Sequence, residues 1–200
     1  MIDPRFLLVA ATLSIVGIGG YVRDVLRGST TPNRVTWTLW GVEGLLIFGV
    51  EIQVHVGPAA LMSLVFGLVP LVVVAASLPH RHGRWRLGPF DVVCAMASVV
   101  GLVAWALIRD ATPALVVFVL ADQAAGLPTV RKAWLAPGSE TAWTYLTGVA
   151  NTTLTLLVLR HWTTAGVLFP GVIWVDDVII WLLVAFEVGP RWRGELAVAA

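Results

Sequence analysis

The sequence predicts an all-α membrane protein with seven transmembrane helices, arranged as two parallel three-helix bundles joined by a linker helix. Three observations carry this prediction. Charged residues make up only 12% of the chain and hydrophobic residues 58%, whereas a soluble domain has about 25% charged residues. The hydrophobic residues form seven segments, and the basic residues collect in alternate connections between them. A chain of this composition cannot cover itself with a polar surface, so its solvent is expected to be lipid.

Each predicted span approaches the roughly 20 apolar residues that a membrane helix needs. The first segment follows a single Arg5 and precedes no clear cleavage site, so we expect a helix there rather than a secretory signal. The connections contain ordinary helix-ending residues such as Pro32, Pro58 and Gly138. The seven predicted spans are 6–22, 35–54, 58–79, 90–108, 112–130, 141–159 and 165–187.

The distribution of Lys and Arg predicts the orientation, because cytoplasmic loops carry an excess of both. The opposite side holds only Arg5, Arg109 and Arg160. Seven spans then place the N-terminus outside and the C-terminus in the cytoplasm, and we expect a bacterial plasma membrane protein. The basic side holds Arg23, Arg27, Arg34, Arg81, Arg84, Arg86, Arg131, Lys132, Arg191 and Arg193.

An internal repeat divides the chain. Residues 20–44 (GYVRDVLRGSTTPNRVTWTLWGVEG) and 128–152 (PTVRKAWLAPGSETAWTYLTGVANT) each run from a helix end through a basic stretch and a Ser/Thr-rich bend into the next helix. The offset is 107 or 108 residues. This predicts a first bundle over 1–80, a linker helix over 81–110, and a second bundle with a short tail over 111–200. An odd linker makes the two bundles parallel, related by a rotation of about 180° around the membrane normal.

This organisation resembles the SWEET sugar transporters and the wider PQ-loop (MtN3-like) family. In that family each bundle has a Pro-Gln pair near the cytoplasmic end of its first helix. Here the second copy has Pro128-Thr129 and the first has Gly20-Tyr21, so neither glutamine is present. The resemblance implies a small-solute transporter that works by alternating access, with its substrate site between the bundles near the bilayer midplane.

Acidic residues inside the spans are the first candidates for a site, because an ionisable group in the membrane core is costly and usually functional. Asp122 lies in span five and Asp177 in span seven, and either is a candidate to carry a coupled proton. Trp174, Asp177 and Trp181 share one helix face, which suits a sugar or a cation. Asp177 is expected to face an interior cavity, with Asp176 turned toward another helix. Structural hydrogen bonding between helices is the alternative for each.

Glu43 and Asn151 occupy matching positions of the two repeats, at an offset of 108. They are expected to line one path through both bundles or, alternatively, to form interhelical hydrogen bonds. Pro128, Pro70 and Gly20 are candidate hinges, since proline removes a helical hydrogen bond and glycine gives freedom. Trp37 and Trp40 are typical of an aromatic belt at the membrane interface.

The chain has no P-loop, zinc-protease, nucleophile-elbow or cysteine-pair motif. We therefore expect no enzyme activity, no catalytic residue, no cofactor and no metal site, and the net charge of +1 does not favour nucleic acid. The expected partners are the lipid bilayer and a small-molecule substrate, and the sequence leaves a homo-oligomer open. The alternative function is a non-transporting membrane sensor or a partner-binding subunit with the same helices.

Overall fold

The computed structural model describes residues 2–3, 5–53, 60–79, 86–159 and 162–195. Within these ranges all the regular secondary structure is helical, with no strand. The helices are α1 (Phe6–Arg27), α2 (Arg34–Gln53), α3 (Ala60–Ser77), α4 (Pro89–Leu107), α5 (Ala111–Leu135), α6 (Ala142–Val158), α7 (Thr164–Ala185) and the short α8 (Val188–Trp192), with a 3-10 turn at Pro137–Ser139.

Four of the described helices are long and apolar enough to cross a membrane, which agrees with an integral membrane protein. They are α1, α4, most of α5 (Thr112–Leu135) and most of α7 (Val167–Ala185), and Leu64–Ser77 in α3 forms a shorter apolar segment. Helices α2 and α6 fall outside this set, and both carry buried polar side chains, among them Glu43 in α2 and Asn151 in α6. These two helices also line the interfaces described below.

The first three long helices pack against one another in the same pattern as the last three. Helix α3 packs against both α1 and α2, and α7 packs against both α5 and α6. Between the two groups, α1 packs against α6 and α2 packs against α5. Helix α4 packs mainly against α5, where a Cβ on Gly101 would lie only 2.8 Å from the Ala121 Cβ.

The same relation appears in the apolar cores. One buried cluster contains Tyr21, Val25, Trp37 and Val73 from α1, α2 and α3. The other contains Ala133, Tyr145, Ile180 and Val184 from α5, α6 and α7. Val25 matches Ala133 at an offset of 108, and Trp37 matches Tyr145 at the same offset. Two of the four buried residues in each cluster therefore recur with the period of the sequence repeat.

Helices α2 and α3 approach each other backbone to backbone. A Cβ on Gly44 would lie 2.7 Å from the Cα of Gly67, and one on Gly67 would lie 2.7 Å from the backbone nitrogen of Leu45. Small residues allow this close contact, which is how membrane helices gain packing energy without a hydrophobic driving force between them.

One end of the bundle collects basic residues, and we call it the basic end. The α1–α2 and α5–α6 connections meet there, since Thr31 N–H donates to the Ser139 carbonyl at 3.0 Å. Arg34 at the start of α2 bonds Ser77 at the end of α3. The Arg131 guanidinium stacks over the Phe90 ring of α4, 5.3 Å from its centroid. Segregation of these basic residues to one end is thus a property of the fold.

The candidate hinges lie inside continuous helices. Pro70 and Pro128 are buried, and neither ends its helix: α3 and α5 continue through them. Pro170 is a third internal proline, in α7. Gly20 lies within α1, where a Cβ would sit 3.6 Å from the Trp143 ring. Their role as hinges stays a prediction.

Candidate functional site

A pair of buried carboxyl groups joins α2 to α5. Glu43 and Asp122 lie within hydrogen-bonding reach of each other, with exposed fractions of 2% and 4%. Ser98 of α4 donates to Glu43 Oε1 at 3.2 Å. A hydrogen bond between two carboxyl groups requires a proton on one of them, so this pair carries at most one negative charge while they are bonded.

The contact between these helices extends toward the basic end. Thr36, Trp40 and Glu43 recur at four- and three-residue steps and share a face of α2. Asp122, Gly126 and Thr129 share a face of α5 for the same reason. Glu43 meets Asp122, and the Trp40 ring lies 3.5 Å from the Cβ position of Gly126. Since the helices run in opposite directions, Thr36 and Thr129 come next. We call these six residues the polar seam.

Several polar atoms of the seam lack partners among the described residues. Thr36 Oγ1, Trp40 Nε1 and Thr129 Oγ1 are buried without a hydrogen-bond partner in the described part of the chain. Glu43 Oε2 is not counted with these three atoms, because the Asp122 carboxyl is within reach of Glu43. An unsatisfied polar group away from water costs about 1–3 kcal/mol in proteins. Three such groups along one helix contact mark a place where water or a solute completes the hydrogen bonding.

The other contact between the two groups of helices, α1 against α6, includes a buried side-chain hydrogen bond. Thr144 Oγ1 of α6 donates to the Gly17 carbonyl of α1 at 3.0 Å, and Thr147 fills the space where Gly17 would otherwise carry a side chain. The offset of 108 relates Thr36 to Thr144, yet of these two only Thr144 has a partner among the described residues. The two contacts therefore share position in the repeat but differ in hydrogen bonding, and the unsatisfied groups concentrate on the α2–α5 side.

The two acidic residues of α7 contact different helices. Asp176 accepts a hydrogen bond from Gln123 Nε2 of α5, which confirms that it turns toward another helix. The Asp177 carboxylate lies directly against Gly148 of α6, leaving no room for a Cβ there. Both interact electrostatically with Asp122. Together with Glu43 these residues form a group of four carboxyl groups. None of the four takes part in an ion pair among the described residues.

The remaining candidates from sequence are Asn151, Trp174 and Trp181. Asn151 is 4% exposed, and its Oδ1 has no partner in the described residues; it follows Gly148 by one helical turn. Trp174 is 36% exposed and donates to Thr153 Oγ1 at 2.9 Å. Trp181 packs against the core cluster of α5, α6 and α7. The structure thus brings Glu43 and Asp122 together, while Trp174 and Trp181 contact other neighbours.

A second buried polar cluster, at the basic end, was not among the candidates from sequence. Lys132, the only lysine of the chain, donates to Glu140 Oε1 at 2.6 Å, with both side chains fully buried. The only two tyrosines, Tyr21 and Tyr145, donate to Glu140 Oε2 at 2.8 and 2.9 Å. Nearby, Thr30 and Thr141 hydroxyls bond at 2.7 Å. We call Tyr21, Lys132, Glu140 and Tyr145 the buried ion-pair cluster.

No group of three or more His, Cys, Asp or Glu side chains with metal-binding geometry occurs among the described residues. Comparisons with models of known protein families, with curated protein sequences and with solved structures find no match for this chain.

Proposed function

We propose that this protein is a seven-span transporter of a small solute, which moves it by alternating access between two parallel three-helix bundles. The first bundle is α1–α3, the second is α5–α7, and α4 connects them. In this proposal the basic end is cytoplasmic and the arrangement follows the SWEET and PQ-loop plan. The solute binds at the α2–α5 contact, with Asn151 and Asp177 near by.

The observation that carries the proposal is the polar seam. Its unpartnered atoms lie on buried helix faces between the two groups of helices, where lipid offers no hydrogen bonds. A structural role predicts that each group would find a protein partner, as Thr144 does across the α1–α6 contact. Unpartnered donors and acceptors next to two carboxyl groups instead suit a site that a passing solute fills.

The helix adjacencies support the arrangement. A rotation that exchanges α1 with α5, α2 with α6 and α3 with α7 turns the α1–α6 contact into the α2–α5 contact. It also turns the contacts of α3 with α1 and α2 into those of α7 with α5 and α6. Parallel repeats of this kind place their substrate site at the repeat interface, which is where the seam lies.

The basic end supplies a closure between the bundles. Tyr21 and Thr30 belong to the first bundle, and they bond Glu140 and Thr141 of the second. Asp24 Oδ2 also accepts a bond from Thr141 at 3.1 Å. In the proposed cycle these bonds hold the cytoplasmic side closed, and they break when the bundles separate there.

The test is uptake into proteoliposomes, which screens labelled sugars, amino acids and nucleosides with and without a pH gradient. Protein-free liposomes give the background. We expect saturable uptake of at least one class, and we expect Asp122→Asn to reduce it while Asp110→Asn, at an exposed position at the start of α5, leaves it unchanged. Absence of uptake for every class, together with tight binding of a ligand or a partner protein, would instead establish the sensor or partner-binding alternative.

A further inference from the structure

We infer that Tyr21 is the gate residue of the basic end. Its hydroxyl group docks from the first bundle onto the Glu140 carboxylate of the second, and undocking lets the two bundles separate there. This inference rests on the proposed function, because it names the residue that controls one side of the transport cycle. The acceptor site for Tyr21 consists of Lys132, Glu140 and Tyr145, the second-bundle members of the buried ion-pair cluster.

Contacts within the second bundle hold the acceptor site together. Lys132 Nζ donates to Glu140 Oε1 at 2.6 Å and to the Ser139 carbonyl at 3.0 Å. Tyr145 donates to Glu140 Oε2 at 2.9 Å, and its side chain packs in the core cluster of α5, α6 and α7. Glu140 therefore keeps a cation and a hydroxyl donor whether or not Tyr21 is bonded to it. The acceptor site is thus already formed before Tyr21 docks.

Tyr21 connects the two bundles through its hydroxyl group. Its ring lies in the core of the first bundle, with its centroid 4.7 Å from that of Trp37, while its hydroxyl donates to Glu140 Oε2 at 2.8 Å. Separation of the bundles at the basic end breaks this bond and leaves the ion pair of Lys132 and Glu140 whole. Opening therefore avoids the uncompensated buried charge that would result from splitting the pair. A hydrogen bond to a charged group is also stronger than a neutral one, which suits a contact that holds the closed state.

The internal repeat indicates that this docking contact occurs on one side only. At the offset of 108 the counterpart of Tyr21 is Thr129, and the counterpart of Glu140 is Pro32. Thr129 Oγ1 is buried without a hydrogen-bond partner among the described residues, and proline has no polar side-chain atom. The described part of the α2–α5 contact, which the repeat relates to the α1–α6 contact, therefore has no equivalent of the Tyr21 bond. A single substitution at Tyr21 should consequently be enough to release the gate.

The experiment measures opening of the basic end without any solute. Thr30 lies at the contact between the bundles and is 4% exposed, so a cysteine there should react with a water-soluble maleimide when the basic end opens. The labelling rate of Thr30→Cys is measured in a Cys94→Ala background, with the full chain in nanodiscs. Tyr21→Phe keeps the ring and removes the hydroxyl, and we expect it to raise this rate by about tenfold.

Tyr145→Phe is the matched control, because it removes a hydrogen bond to the same carboxylate oxygen but inside the second bundle. We expect its labelling rate to equal that of the parent protein. A general loss of stability would instead speed labelling in both variants, so equal rates in Tyr21→Phe and Tyr145→Phe would overturn the gate.

Fluorine NMR gives a second measurement on a chain that keeps both hydroxyl groups. Tyr21 and Tyr145 are the only tyrosines of the chain, so incorporation of meta-fluorotyrosine gives two signals, which Tyr21→Phe or Tyr145→Phe assigns. We expect chemical exchange between two environments at Tyr21 and a single environment at Tyr145. Exchange at both tyrosines, or at neither, would contradict the inference.

The uptake screen judges the transport proposal separately, because neither measurement of the gate involves a solute. Faster labelling in Tyr21→Phe alone, without uptake of any solute class, keeps the gate and rejects transport. Uptake by the original protein, with the same labelling rate in Tyr21→Phe and its parent, rejects the gate and keeps transport.

Discussion

Lys132 Nζ lies 2.6 Å from Glu140 Oε1, and both side chains are completely buried. Two tyrosines bond to Glu140, and Lys132 also donates to the Ser139 carbonyl. Removing one partner of a buried ion pair leaves a charge without compensation, which typically costs about 3–5 kcal/mol.

We therefore expect Lys132→Met to be strongly destabilising, with most of the loss recovered in Lys132→Met/Glu140→Gln. The measurement is the thermal unfolding midpoint in detergent. Glu195→Gln is the control, because it removes the exposed partner of Arg193 and should leave the midpoint nearly unchanged. A single variant as stable as the original protein would show that Glu140 does not depend on Lys132.

The Thr30–Thr141 hydroxyl contact offers a direct test of the closure at the basic end. In a Cys94→Ala background, cysteines at both positions are close enough to form a disulfide, since the two hydroxyl oxygens lie 2.7 Å apart. We expect oxidation to stop solute uptake and reduction to restore it. Uptake is compared with each single-cysteine variant after the same oxidation. Full uptake through the cross-linked protein would mean that these two connections need not separate.

Gly148 permits the approach of Asp177, since any Cβ at this position would overlap the carboxylate. We expect Gly148→Ala to destabilise the protein by about 1–3 kcal/mol, as overpacking does. Gly19→Ala is the matched control, because its Cβ meets nothing within 4 Å. Unfolding midpoints of Gly148→Ala, Asp177→Ala and Gly148→Ala/Asp177→Ala, measured beside the original protein, give a double-mutant cycle. If the second change does not recover stability, the two residues are not in contact.

The sequence predicts the positions of the long helices closely, because apolar periodicity and helix-ending residues are local signals. The clearest differences lie at the ends of α1 and α5. The sequence places the end of α5 at residue 130, whereas the helix continues to Leu135. A lysine near a span end normally indicates a solvated loop. Lys132 is instead buried, and it pairs with Glu140 eight residues later in the chain. Only the folded chain reveals that partner.

The candidate site, too, is only partly predictable from the sequence. Glu43 and Asp122 are identifiable from sequence because charges inside apolar spans are rare. Their contact is not, since periodicity tells which residues share a face but not which helix that face meets. The belt interpretation of Trp37 and Trp40 is wrong for the same reason: Trp37 is a core residue at 3% exposure, and Trp40 lies against Gly126 of α5.

Orientation in the membrane rests on the basic end and is testable with single cysteines in the Cys94→Ala background. Gly138 at the basic end and Asp110 at the other end are both exposed. We expect a membrane-impermeant maleimide, added to intact cells, to label Asp110→Cys and to spare Gly138→Cys, because the basic side should be cytoplasmic. Labelling after permeabilisation shows that both sites react. The reverse pattern would place the N-terminus inside.

Asp177 occupies a costly position for a charged side chain. It lies within a highly apolar helix, against a glycine and without an ion-pair partner among the described residues. A charge held there for stability alone would be costly, and leucine would suit lipid better. If Asp177 carries a coupled proton, Asp177→Asn keeps its shape and removes that proton. We therefore expect this variant to lose pH-driven uptake while ligand binding stays measurable by thermal stabilisation.

Asp110→Asn should keep both pH-driven uptake and ligand binding. Uptake with unchanged pH dependence in Asp177→Asn would assign proton coupling elsewhere, with Asp122 as the next carboxyl group to test. Normal uptake and binding in Asp177→Leu as well would show that the residue serves packing alone.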